Sequence, residues 1–437
     1  MLAYFVSLVL LLAFWVPLGF SADRSNEQAA PGGAQVINHV VIIFQENRST
    51  DNLFHGLPGA DTASYGTNSK GHKVKLTSLP LISNYALDHT HPSFVKMYDG
   101  GKMDGADLIP VTCGNHCPPN PQFKYVPQSD VQPYFDMAEQ YGFGDRMFQS
   151  NQGPSYPAHL YIMAATSLPE AGSDLFVAEN PYGVPNANGD VGCTAPKQEY
   201  VQLINPLGEE NFIMYPCYEH KTLMDLLDNK NLTWRYYTPS LKYIWTAPNS
   251  IHHIRLGKDW KYVIPNPKQV LQDIAHNKLP NVAWVMPPGK SSDHPNGNNG
   301  TGPSWVASVV NAVGASQYWN STAIFISWDD WGGFFDHVAP PVRNSYEYSF
   351  RVPLVVVSPY AKPGYVSHAT HDFSSIVKFA ETAFNLPSLG FSDEYADDLT
   401  DFFNFDQKPA PFHKIRARYS ANYFINDKSP PSDPDDY

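Results

Sequence analysis

The sequence predicts an α/β domain built on a largely parallel sheet. Three observations carry that expectation. Short apolar runs rich in β-branched residues, of the kind buried on both faces of a parallel sheet, recur along the chain. Helix-period segments lie between them, the alternation that crossover connections produce. No internal repeat or clean linker interrupts the series, so the 437 residues, about three domain equivalents by length, are expected to form one domain with large excursions.

The first strand is expected at 37–44, reading Ile-Asn-His-Val-Val-Ile-Ile-Phe, and it is followed at once by polar residues. Further strands are expected at 281–286, 322–328 and 353–358. Helical patterns fall at 221–227, 267–275, 305–313 and 372–384, the last with Asp372 placed as its N-cap. Ser155 lies at the expected start of another helix, leading into the apolar stretch 160–165. Residues 168–218 are rich in Gly, Pro and Asn and read as an insertion or lid. In open α/β sheets ligands gather beyond the carboxyl ends of strands, so the chemistry is sought there.

Before the first strand, residues 2–20 form an apolar run closed by the small residues Gly19, Ser21 and Ala22, which predicts a secretory signal peptide at 1–22. No Lys or Arg precedes the run, so an uncleaved membrane anchor is the alternative. Residues 23–36 read as a flexible leader and 37–437 as the domain. A secreted or periplasmic location follows in either case. Cys113, Cys117, Cys193 and Cys217 allow three pairings, which the sequence does not choose; nearest-neighbour pairing is the expectation. Cys113 and Cys117 could form half of a zinc site, but no second Cys/His pair has matching spacing, and an oxidising compartment favours disulfides.

The composition, 43% apolar and 16% charged, is that of a folded globular chain despite its 39 prolines. Acidic residues exceed basic ones by 13, which disfavours nucleic acid and leaves no polybasic footprint for anionic lipid.

Four segments could do chemistry. Glu46-Asn47 follows the first strand and offers two hard oxygen ligands, or a helix-capping turn. Asp329-Asp330 follows the strand at 322–328; adjacent aspartates among aromatics repel each other unless a cation or several donors lie between them. Gly332 and Gly333 would let the backbone turn sharply after the pair. Ser155, between Pro154 and Pro157, is rigidly presented where a helix N-terminus favours anions, although such a turn taken alone is most often structural. Histidines recur beside aspartates in separate loops, at His89, His91, His294, His337, His368 and His371. Imidazole there could bind a metal, donate to an anion or protonate a leaving group.

Taken together, INHVVIIFQENRSTDNLFHG, the DxxH segment followed by GGKMDG, QSNQGPSYPAHLYIMAATS, SWDDWGGFFDHVAPP and FRVPLVVVSPYAKPGYVSHATHDFSSIVKF resemble the bacterial phosphoesterase family. That family includes secreted phospholipases C and acid phosphatases and belongs to the alkaline phosphatase superfamily. The likeness runs from about residue 37 to about residue 405, with five motifs in the family's order. It implies a three-layer α/β/α sandwich with a mostly parallel sheet and loop insertions, and hydrolysis of a phosphate ester through a phosphoserine. It also implies that Glu46, Asn47, Asp329, Asp330 and Ser155 hold one divalent metal ion, with Ser155 as nucleophile. His91 and His294 are expected near the phosphoryl oxygens or leaving group, and His337 fits the family's DHV element. His220, His253 and His368 are weaker candidates. The Asp-Asp form of the second metal pair is that of acid-phosphatase-like members, so a phosphomonoesterase is expected, with a phospholipase C acting on phosphatidylcholine-like lipids as the alternative. Oxygen-rich ligands favour Ca²⁺, Mg²⁺ or Mn²⁺, and the neighbouring histidines keep Zn²⁺ open. The expected partner is a small phosphate ester or a phospholipid; no nucleic acid and no protein partner is implied. A catalytically silent phosphate-binding protein would be expected to have lost the nucleophile or a ligand, and here Ser155 and both acidic pairs are present.

Overall fold

β1 (His39–Gln45), a run of β-branched residues buried almost throughout, lies inside an eight-stranded sheet. The other strands are β2 (Gly142–Gly144), β3 (Trp234–Tyr237), β4 (Val263–Ile264), β5 (Val282–Val285), β6 (Thr322–Trp328), β7 (Leu354–Val357) and β8 (Tyr365–Ser367). The order across the sheet is β4-β3-β5-β1-β6-β7-β2-β8. Only β7 runs against its neighbours, pairing antiparallel with β6 and β2; every other pairing is parallel. This computed structural model describes residues 33–114, 116–182 and 191–431. The expected signal peptide at 1–22 and most of the expected leader lie outside the described residues, as do residues 183–190 of the expected insertion. Residues Ala34–Val36 form a short 3-10 turn with Ala34 buried.

Alternation along the strands sends side chains to two helical layers. Trp284 of β5 and Phe325 of β6 align with Ile42 of β1, and so point to one face. On that face the Trp284 indole donates to the Ile162 carbonyl of α2 (Ser155–Ala164), and Phe325 packs edge-on to Phe379 of α6 (Phe373–Phe384). α3 (Leu223–Asn229), opened by a Thr222–Asp225 capping box, packs against α2. The other face carries α1 (Gln128–Gln140), α4 (Gln269–Ala275) and α5 (Gly302–Gly314), with Tyr237 donating to Asp273 of α4 and Trp328 packing edge-on to Tyr134 of α1. The molecule is therefore an α/β/α sandwich with a mostly parallel sheet. Asp372 caps α6, its side chain accepting from the Ser375 N–H.

The stretch 168–218 contributes a three-stranded antiparallel sheet from Phe176–Val177, Val201–Ile204 and Phe212–Met214. Two disulfides, Cys113–Cys117 and Cys193–Cys217, take up all four cysteines in the nearest-neighbour pattern. Among the described residues no helix is long and apolar enough to cross a membrane.

Candidate active site

The site forms because two strands end side by side. Gln45 at the end of β1 is in register with Trp328 at the end of β6, and the Asp329 N–H continues the ladder to the Gln45 carbonyl at 2.9 Å. Glu46-Asn47 and Asp329-Asp330, some 280 residues apart in sequence, thus leave the sheet at one level. Asn47 turns the chain with φ at 58°, a left-handed conformation that asparagine tolerates better than most residues. Its N–H donates to Asp329 Oδ1 at 2.8 Å, and its side-chain amide donates to both oxygens of Asp330 at 3.1 and 3.2 Å. Gly332, with φ at 62°, seals this arrangement: its N–H donates to Asp330 Oδ1 at 2.7 Å, and a Cβ there would stand 2.2 Å from the Asn47 carbonyl oxygen.

The third contribution comes from α2. Ser155 is its first residue, and its Oγ donates to Asp330 Oδ2 at 2.9 Å. One turn on, at the spacing that places two residues on one helix face, His159 directs Nε2 towards Glu46 Oε1 at 3.5 Å and Asp329 Oδ2 at 3.9 Å. Glu46, Asn47, Ser155, His159, Asp329 and Asp330 are all fully buried. The five residues expected to share a cation therefore lie in linked contacts, joined by His159, which sequence reasoning quoted within its motif but gave no role. The i, i+4 pairing of Ser155 and His159 was the available signal.

The histidines divide. Of the pair His89 and His91, it is His89 that reaches the cluster. Its Nδ1 must donate to the Leu87 carbonyl, 2.9 Å away, which leaves the Nε2 lone pair to accept from the Asn47 amide at 3.1 Å; Asp330 Oδ2 is 3.6 Å from the same nitrogen. His91 instead bonds Glu210 through Nδ1, and its backbone N–H donates to Glu179. Burial, with the charges of Glu210 and Asp88 adding to it, pushes the Glu179 carboxyl up to about 8. The next residue, Asn180, accepts the N–H of Tyr156, tying this acidic segment to the start of α2. His294 donates through Nδ1 to the Pro295 carbonyl, and its loop abuts β1 where Ser292 accepts the Glu46 N–H at 2.8 Å. In the same loop, burial raises Asp293 to about 6 while the Tyr134 hydroxyl and Trp328 indole donate to it.

His337 departs from its expected catalytic place. Its ring nitrogens are taken up by Asp51 at 2.7 Å and Asp61 at 3.0 Å, in a network anchored by buried Arg351, which grips Asp336 with two bonds. Despite burial, these carboxylates hold its imidazole up at about 9. The physical reason is that Asp336 turns inward to the guanidinium and carries the next residue with it. His368 is exposed and bonds Asp145; His253 lies between Glu219 and Asp225; His220 donates to its neighbour's carbonyl.

The donor set fits a divalent cation. Asn47 Oδ1 and Asp329 Oδ2 are buried and, among the described residues, have no hydrogen-bond partner. Carboxylate oxygens of Glu46 and Asp329 and a ring nitrogen of His159 lie within 4.8 Å of one another. A second acidic group, Asp51, Asp336 and His337, already contains the Arg351 guanidinium as its counter-charge. At the main cluster, a hydroxyl, a carboxylate positioned to take its proton and a helix N-terminus that favours anions meet.

A model of the phosphoesterase family matches residues 37–387. The non-hemolytic phospholipase C of Pseudomonas aeruginosa is 25% identical over 90% of this chain and 61% of its own length. Phospholipase C B of Mycobacterium tuberculosis is 24% identical over 87% of this chain and 80% of its own. The chain thus spans about three fifths of the Pseudomonas protein. Among solved structures, a protein in the alkaline phosphatase superfamily from Vibrio parahaemolyticus overlaps 82% of this chain and 70% of its own, at 11% identity and a TM-score of 0.38.

Proposed function

Because the chain belongs to the phosphoesterase family, we propose that it hydrolyses phosphoric esters and, more narrowly, cleaves the phosphodiester of a phospholipid in the manner of a phospholipase C. Relatives that align over most of this chain carry that name, which favours the diester over the monoester expected from the Asp329-Asp330 pair. The observation that carries the mechanism is the 2.9 Å hydrogen bond from Ser155 Oγ to Asp330 Oδ2 at the head of α2.

The phosphoryl group is received at the N-terminus of α2, where N–H groups without intrahelical partners favour negative charge. Ser155 Oγ attacks phosphorus while its proton passes to Asp330. The Oγ–P bond forms, the bond from phosphorus to the leaving alcohol breaks in line, and the departing alkoxide takes a proton from a histidine of the bordering loops, His91 or His294. Water then attacks phosphorus, giving a proton to the histidine deprotonated in the first step, while the Oγ–P bond breaks and Asp330 returns its proton to Ser155. A divalent cation held by Glu46, Asn47, Asp329, Asp330 and Ser155 would polarise a phosphoryl oxygen and offset charge that an acidic protein otherwise repels. In such transfers positioning and charge neutralisation supply most of the rate. Two disulfides and the expected signal peptide support action outside the cytosol.

The test compares initial rates on p-nitrophenyl phosphate, a soluble phosphodiester and phosphatidylcholine vesicles. A preference for the vesicles and the diester is expected; a preference for p-nitrophenyl phosphate would return the monoesterase reading.

A further inference from the structure

We propose that His159 is a nitrogen ligand of the cation, so that this chain's site prefers ions that accept imidazole, such as Mn²⁺, Zn²⁺ or Co²⁺, over Ca²⁺. The inference rests on the cation placed at Glu46 and Asp329 in the proposed function.

Its basis is spacing. His159 Nε2 stands 3.5 Å from Glu46 Oε1 and 3.9 Å from Asp329 Oδ2, outside the range of about 2.7 to 3.2 Å in which an N–H bonds an oxygen. Ligand atoms held at about 2.0 to 2.2 Å around one ion lie roughly 3 to 3.5 Å from each other, since tetrahedral and octahedral edges are about 1.6 and 1.4 times the bond length. The 3.5 Å between His159 Nε2 and Glu46 Oε1 is the separation of two donors on one ion, and Asp329 Oδ2, at 3.9 Å, lies a little beyond it. Burial points the same way: all three residues are fully buried, and Asp329 Oδ2 has no hydrogen-bond partner among the described residues. The imidazole is also held in place, packed edge-on against Phe44 of β1 with ring centroids 5.2 Å apart. Its backbone is mid-helix in α2, one turn beyond Ser155, so the element that presents the nucleophile would be pinned to the ion at two points. An imidazole nitrogen shifts a site away from Ca²⁺, which takes oxygen ligands, and towards borderline transition metals.

The test uses the purified full chain stripped of metal. Titration with Co²⁺, Zn²⁺ and Ca²⁺ is followed by calorimetry, and pulsed EPR of the Mn²⁺-loaded protein reads directly bonded nitrogen. His159→Gln is expected to weaken Zn²⁺ and Co²⁺ binding at least tenfold, to change the visible spectrum of bound Co²⁺, and to leave Ca²⁺ binding within threefold. An equal loss for all three ions would overturn ligation, since it would mean that His159 only positions the carboxylates. Should the variant fail to fold, the EPR decides: imidazole coupling in the wild type that persists in His89→Gln supports the proposal, and no coupling overturns it. A wild type that binds no divalent ion overturns this inference together with the cation of the proposed function, whereas an ion bound without nitrogen overturns this inference alone.

Discussion

Asp330 sits between Ser155 and Asn47, accepting from Ser155 Oγ and from the Asn47 amide. Asp330→Asn keeps the shape but removes the base and a charge, so kcat/KM is expected to fall by about 10² to 10⁴-fold, as for loss of a general base; steady-state rates on the preferred ester check this. His337 gives a pH signature of a different kind. Its folded-state pKa, at about 9, lies above the ordinary value of 6.5. The stability it contributes is therefore complete below about pH 6.5 and lost as pH rises through 9. Melting temperatures of wild type and His337→Gln, measured from pH 6 to 10, are expected to differ most at pH 6 and to converge above 9; a gap that widens with pH would contradict the network. At this scale the sequence showed Glu46-Asn47, Asp329-Asp330 and Ser155 through their places after strands and before a helix. It did not show which histidine faces which carboxylate. His89 and His91 are two residues apart and alike in composition, and only the fold turns one to Asn47 and the other to Glu210.

β1 and β6 were legible because parallel central strands are continuous apolar runs; the expected 322–328 coincides with the observed Thr322–Trp328. The short strands β2, β4 and β8 were not legible: two or three residues carry no period, and Gly142–Gly144 is a strand only because Leu354–Val357 and Tyr365–Ser367 flank it. α1 was hidden by Pro133 within it and by its low apolar content on one face. The turn after β6 offers an element-level test. Gly332→Ala would place a Cβ 2.2 Å from the Asn47 carbonyl oxygen at a positive φ. A loss of about 1 to 3 kcal/mol in stability is expected from strain of this kind, together with weakened metal binding, because the clash bears on Asn47. Denaturant unfolding and calorimetric titration measure the two effects. Unchanged stability would mean that this turn relaxes freely.

For the whole molecule, one sheet buried between two helical layers makes neighbours of residues from 46 to 330, and we propose that the chain from 37 onward unfolds as a single domain. One calorimetric transition is expected, and two separated transitions would contradict it. Chelation is expected to lower the melting temperature, because buried Glu46, Asp329 and Asp330 then repel without a counter-charge. The sandwich was foreseeable from the alternation of runs and helices, whereas the internal sheet of the 168–218 stretch was not, since its exposed strand Phe212–Met214 reads like a loop. What joins fold to chemistry is the meeting of Ser155 with the acidic pairs. The most direct measurement is kcat/KM for Ser155→Ala on the ester that the wild type cleaves best, with folding verified by its melting temperature. A fall of at least about 10³-fold is expected for loss of the nucleophile; activity within threefold of wild type would contradict the role given to Ser155 and to the site built around it.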